Sequence, residues 1–167
     1  MKVTVVAGNP KAQSRTLDAA RILAAAVVGR DADEIVDVTT LGPGLMGWGD
    51  QAVNAAVATV RESDLVVFAS PTFKGTYTGV LKLFLDQFAT GDGLAGVVAV
   101  PLMLGAGPGH AMAPMFLEHV LRELGATLPA PGLYVLDSDY TTSPTIADYA
   151  TRWAAVLTAP ITDQAGV

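Results

Sequence analysis

Cysteine is absent from the 167 residues. That excludes a disulfide framework, a thiolate nucleophile and a thiolate metal site. Histidine occurs twice, at His110 and His119, without the spacing of a His-Glu-x-x-His motif, so no metal centre is expected. Positive charge is scarce. Ten Lys and Arg stand against sixteen Asp and Glu, a formal net charge of −6. The ten are scattered, except where Lys11 and Arg15 share one loop. No basic footprint for nucleic acid exists, and a local basic spot on an acidic chain suits a small anionic ligand. No apolar run reaches membrane-spanning length, so no membrane partner is expected. Met1 to Val6 is too short for a signal peptide and runs straight into a turn, which makes the cytoplasm the expected location.

What is present alternates between strand and helix signals. Val3 to Ala7 is a β-branched apolar run ending at Gly8-Asn9-Pro10. Thr16 to Val28 places Leu17, Ala20, Leu23, Ala24 and Val27 on one helical face, with Gly29 as a stop. Glu34 to Val38 reads as a second strand. Leu41 to Asp50, with four glycines, Pro43 and Trp48, reads as a loop, and Asp50 caps a helix to Arg61. Leu65 to Ala69 is a strand buried on both faces. A helix is expected over Thr78 to Phe88, and a fourth strand over Gly96 to Met103, with Pro101 marking a bulge or the strand's end. The fourth helix is expected over His110 to Leu124, although Pro114 is tolerable only in a first turn. Gly132 to Leu136 is the fifth strand. Thr142 to Leu157 is the last helix, with Ser143-Pro144 as a cap followed by a first-turn proline. No repeat or linker interrupts the chain, so a single domain is expected over 1–158, with a frayed tail over 159–167. Five β-α units make an α/β chain with helices on both faces of a parallel sheet. The expected architecture is a flavodoxin-like three-layer sandwich with strand order 2-1-3-4-5, whose ligands sit at the strand C-termini near the first and third strands.

Three loops collect at that end. The first, Gly8 to Thr16, joins a strand to a helix N-terminus, where free N–H groups and the helix dipole favour an anion. Ser14 and Thr16 add hydroxyls, and Lys11 and Arg15 add charge. The loop carries neither a Walker A nor a Gly-x-Gly-x-x-Gly pattern, and the plain alternative is an ordinary capped βα turn. The second, Ser70 to Tyr77, offers Phe73 and Tyr77 as aromatic surface beside turn-forming Pro71 and Gly75, a combination suited to a planar heterocycle. The third, Leu104 to His110, has three glycines that allow close backbone approach to a ligand. A capping or packing role is favoured over catalysis for His110, and His119 reads as structural. Lys82 and Asp86 form an i, i+4 surface pair. Trp48 covers a ligand or a dimer contact, and Trp153 packs the last helix on the sheet. Asp137 and Asp139 could pair as a metal site, but acidic residues after a last strand are usually solvated.

At these loops the sequence resembles the NADPH-dependent FMN reductase family of flavodoxin-like proteins. Gly8-Asn9-Pro10-Lys11-Ala12-Gln13-Ser14-Arg15-Thr16 is similar to the family's Gly-Ser-x-Arg-x-x-Ser phosphate loop. Ser70-Pro71-Thr72-Phe73-Lys74-Gly75-Thr76-Tyr77-Thr78-Gly79-Val80-Leu81-Lys82 is similar to its Pro-x-Tyr-[Asn/Lys]-x-Ser-x-x-Gly-x-Leu-Lys segment, and Asp86 follows at the family's usual position. Leu104 to Gly109, then His110, is similar to the third flavin loop. Lys74 and the Gly107-Pro108-Gly109-His110 stretch point to the branch that supplies reduced flavin for sulfonate utilisation. The resemblance spans roughly residues 1–157.

The resemblance implies phosphate contacts from Asn9, Lys11, Ser14, Arg15 and Thr16. It implies isoalloxazine contacts from Pro71, Thr72, Phe73, Lys74 and Gly75, and further ring or dimer-partner contacts near Gly105, Gly107 and His110. Asn9 replaces the usual serine, Phe73 the usual tyrosine and Thr76 the usual serine. A helix after His110 one residue shorter than in the sulfonate-linked branch, where an inserted aromatic marks flavin-releasing enzymes, would leave FMN retained. The implied activity is ping-pong: NADPH or NADH delivers hydride to FMN, and a second acceptor, free flavin or another, takes the electrons. The flavin carries the chemistry, so no catalytic side chain is required beyond an electrostatic role for Lys74. The alternatives are a quinone, azo-dye or metal-ion reductase with tightly bound FMN, and a non-enzymatic flavodoxin-type electron carrier. A homodimer or homotetramer is implied, with the third and fourth helices near its interface, and a flavin-dependent monooxygenase as a partner.

Overall fold

Three strands form the middle of one parallel sheet: β1 (Val3–Ala7), β3 (Leu65–Pro71) and β4 (Val98–Gly105). Their side chains are buried almost throughout. β2 (Glu34–Asp37) and β5 (Leu133–Leu136) are the edges, and the strand order is 2-1-3-4-5, as the alternation of signals predicts. The structure, a computed structural model, describes residues 1–160. Residues 161–167 of the expected tail lie outside the described residues.

The central strands read as unbroken apolar runs because helices cover both faces. Alternate residues divide between two cores. Val3, Val5, Val67 and Val100 pack with α1 (Arg15–Val28) and α5 (Thr145–Leu157), and half-buried Trp153 joins them as expected. Val6, Val66, Phe68 and Met103 pack with α2 (Gln51–Arg61), α3 (Gly79–Leu85) and α4 (Ala113–Glu123). Burying side chains of this size contributes roughly 1.5–3 kcal/mol each before entropy is counted.

The helix starts are set by side-chain caps. Ser14 accepts from the Leu17 N–H, Asp50 from those of Ala52 and Val53, and Thr78 from that of Leu81. Several boundaries differ from expectation. α3 is shorter than Thr78 to Phe88, because Thr78 serves as its cap. α4 begins at Ala113 rather than His110. Pro108–His110 forms a separate 3-10 turn, and Pro114 falls in the first turn of α4, where its missing N–H costs nothing. Pro144 is the cap residue of α5 rather than a member of its first turn. Much of the expected loop after β2 is 3-10 helix, Val38–Met46, broken at Gly42.

Pro101 neither ends nor bulges β4. It pairs in register with Phe68 of β3. On the opposite side, Ala99 donates to Thr127 and β5 pairing starts only at Leu102. The proline therefore occupies a gap in that ladder, where its missing donor is not needed.

Candidate functional site

The C-terminal ends of β1, β3 and β4 deliver the three loops side by side. Loop one is internally braced. Asn9 Nδ2 donates to Thr16 Oγ1 at 2.9 Å, and the Lys11 N–H donates to Asn9 Oδ1 at 2.9 Å. Asn9 thus spends its side-chain carbonyl and one amide N–H on shaping the turn. Gln13, at φ +50°, donates its N–H to Asp37 Oδ2 at 2.8 Å. Ser14 and Thr16 are buried, while Lys11 and Arg15 are exposed. With Ser14 capping the Leu17 N–H, the first-turn N–H groups of Arg15 and Thr16 have no acceptor among the described residues. Those donors and two cations make one end of the loop anion-seeking.

Loop two is a tight two-residue turn. Phe73 and Thr76 exchange backbone hydrogen bonds at 2.9 and 3.2 Å, around Lys74 at φ +54° and Gly75 at φ +84°. Both central residues have positive φ, the signature of a type I′ turn. Phe73 and Lys74 stand exposed on it. The turn is pinned at its base, where the Thr72 N–H donates to the Leu104 carbonyl at 2.6 Å. Thr72 Oγ1 is buried without a hydrogen-bond partner, a cost normally offset by water or a ligand.

Thr78 ties loops one and two together. Its hydroxyl donates to the Gly8 carbonyl at 2.5 Å and accepts from the Leu81 N–H at 3.1 Å. Its own N–H donates to Ser70 Oγ at 3.0 Å. Gly8 lies so close to α3 that an added Cβ would sit 2.3 Å from Leu81 Cβ.

Loop three is held from β5. Tyr134 Oη donates to the Gly107 carbonyl at 2.6 Å, and Gly105 passes so near that ring that no Cβ fits there. Burial, chiefly, pushes the Tyr134 hydroxyl pKa up, so it remains a donor. His110 is exposed at the end of the 3-10 turn and makes no hydrogen bond among the described residues.

A cavity of about 240 Å³ lies where these loops meet. Asn9, Lys11, Ser14, Arg15, Thr16 and Pro71 line it, together with Gln13, Leu104 and Asp137. Six of the expected site residues therefore line one cavity. Thr72, Phe73, Lys74, Gly75, Gly105, Gly107 and His110 lie outside this cavity, on the adjoining loops. Asp137 has a place in the cavity that spacing did not suggest. Arg15 Nη2 pairs with Asp137 Oδ2 at 3.2 Å, and Arg15 Nη1 donates to the Asp137 carbonyl at 3.1 Å. The available signal was position alone: an acidic residue directly after a strand, at the end of the sheet where ligands bind. Lys82 and Asp86 form the expected pair on the exposed side of α3.

Comparison with known proteins identifies the family and the fold. The model of the family described as NADPH-dependent FMN reductase matches residues 1–141. An NADH-dependent FMN reductase, SfnF, of Pseudomonas fluorescens is 29% identical over 152 residues, covering 84% of this chain and 79% of the relative. An FMN reductase (NADPH) of Pseudomonas aeruginosa is 28% identical, covering 83% and 78%. Among solved structures, an NADH:FMN oxidoreductase (EmoB) in its apo form superposes with a TM-score of 0.83 at 26% identity, covering 93% of this chain and 87% of that one. An oxidoreductase from Corynebacterium diphtheriae shares the fold, with a TM-score of 0.77 at 22% identity over 94% and 93% of the chains. The chain belongs to the NADPH-dependent FMN reductase family.

Proposed function

We propose that this chain reduces FMN with NAD(P)H, holding the flavin phosphate in the cavity at the α1 N-terminus. The observation that carries this reading is the convergence, in one cavity, of unaccepted first-turn N–H groups, Lys11 and Arg15, against Pro71 of loop two. A phosphate needs that donor set. Buried, unpartnered Thr72 Oγ1 favours a ligand beside it. The residues present therefore fit FMN.

In this reading Asn9, Lys11, Ser14, Arg15 and Thr16 serve the phosphate. Pro71, Thr72, Phe73, Lys74 and Gly75 serve the ring, and Gly105, Gly107 and His110 complete the far side. Bound FMN supplies the hydride chemistry between NAD(P)H and an acceptor. The chain's part is to orient it. Phe73 offers flat apolar surface, and the Lys74 ammonium and nearby N–H groups stabilise negative charge that develops on the ring. No side-chain acid or base is required. The test is direct: purified protein should take up FMN, and NADPH or NADH should then be consumed. Failure of both would end the reading.

Homo-oligomerisation and a cytoplasmic location belong to the same proposal, as does hand-over of reduced flavin to a monooxygenase. Met112, just before α4, and Met115 and Phe116 on it are large and exposed, which supports a self-association face at the fourth helix. No helix among the described residues is long and apolar enough to cross a membrane.

A further inference from the structure

Resting on the reading of this cavity as the FMN phosphate site, we propose that Asp137 sets how firmly FMN is held, by competing with the phosphate for Arg15. Arg15 and Asp137 line the same cavity as Lys11. The Arg15 guanidinium spends one arm on the Asp137 carboxylate at 3.2 Å and the other on its carbonyl at 3.1 Å. Asp137 is fixed there by its own N–H, which donates to the Gly105 carbonyl at 3.0 Å. The carboxylate is thus presented by main-chain anchoring and does not drift in from solvent.

The charge balance follows. Lys11 and Arg15 contribute two positive charges, and Asp137 cancels one of them. A phosphate monoester brings roughly −1.5 to −2 at neutral pH. To offer its fork to the phosphate, Arg15 must release Asp137; if it does not, the phosphate sits beside a carboxylate. Either course lowers affinity for the phosphate while leaving the ring contacts untouched. The fold does not need the pair. Its side chains are 65% and 34% exposed, and exposed ion pairs contribute little to stability. The device favours a flavin that exchanges.

Freeing one cation about 6 Å from the phosphate in a solvent-screened setting corresponds to about a three- to tenfold change in affinity. The experiment is flavin titration by fluorescence, using FMN and riboflavin in parallel, on wild type, Asp137→Asn and Asp139→Asn. Asp139 is a neighbouring carboxylate outside the cavity and controls for net charge. Asp137→Asn should bind FMN about three to ten times more tightly and riboflavin unchanged, with Asp139→Asn close to wild type. In an Arg15→Gln background most of the gain should disappear. The proposal is overturned if wild type prefers FMN to riboflavin but Asp137→Asn leaves FMN affinity unchanged, weakens it, or shifts both flavins equally. A wild type with no preference for FMN over riboflavin would instead overturn the phosphate-site reading, and the competition with it.

Discussion

Gly8→Ala probes the joint on which the site depends. Gly8 follows β1, donates its N–H to Ala69 and accepts the Thr78 hydroxyl. A methyl group at this position would lie 2.3 Å from Leu81 Cβ and 2.9 Å from Leu81 Cα. Neither atom belongs to a flexible side-chain end, so the first turn of α3 must move. Overpacking of this kind costs about 1–3 kcal/mol. For a chain of this size that lowers the melting temperature by about 2–12 °C. Because Thr78 links Gly8 to α3, the shift should also stretch its bond to loop one and weaken FMN binding. Differential scanning fluorimetry and a flavin titration on the same preparation read both effects. Leu81→Ala should not rescue the variant, since alanine keeps the offending Cβ. A melting point within about 1 °C of wild type, with unchanged FMN affinity, would refute the close packing of loop one on α3.

Four further outcomes follow from the same geometry. Lys11→Gln should weaken FMN binding about three- to tenfold through loss of one screened charge, leaving riboflavin unaffected in a parallel titration. Gly75→Ala, at φ +84°, should cost about 1 kcal/mol. Gly79→Ala, in the open first turn of α3, should be neutral or stabilising; thermal melts separate the two. The Arg30 guanidinium, and with it the Val3 N–H, holds the Asp33 carboxyl below the usual carboxylate range. Its stabilising effect is therefore present above the unfolded carboxyl pKa of about 4 and is lost as pH falls through the folded value. Melts of wild type and Asp33→Asn should differ at pH 7 and converge in acid. Met115→Glu combined with Phe116→Glu should shift the protein to a smaller species in analytical ultracentrifugation while its circular dichroism stays unchanged.

Local chemistry made the sheet legible. β-branched runs at Val3 to Ala7 and Leu65 to Ala69, each closed by Gly or Pro, mark parallel strands buried on both faces, and their number and alternation allow few orders. The shape of the loop after β1 was legible for the same reason: strand, turn, cations and cap follow one another within a few residues. Pro101 was misleading because tolerance of a proline depends on what lies across the ladder, and the gap beside Thr127 is a tertiary fact. The start of α4 slipped because Gly107 to His110 can form a turn without joining the next helix. Two links were beyond reach. Thr78 meets Gly8 across 70 positions and Arg15 meets Asp137 across 122; each is a contact between side chains and loops that only the closed sheet brings together. Asp137 looked like a solvated acid because its significance comes from its partner.

Anaerobic titration of the FMN-loaded protein with NADPH and with NADH, following the flavin's visible absorbance, tests whether this cavity and its two neighbouring loops bind FMN so that NAD(P)H can reduce it. FMN should bind more tightly than riboflavin, and at least one nicotinamide should bleach the bound flavin stoichiometrically. A protein that takes up no FMN, or whose bound FMN keeps its colour in excess NADPH and NADH, would contradict FMN reduction at this site.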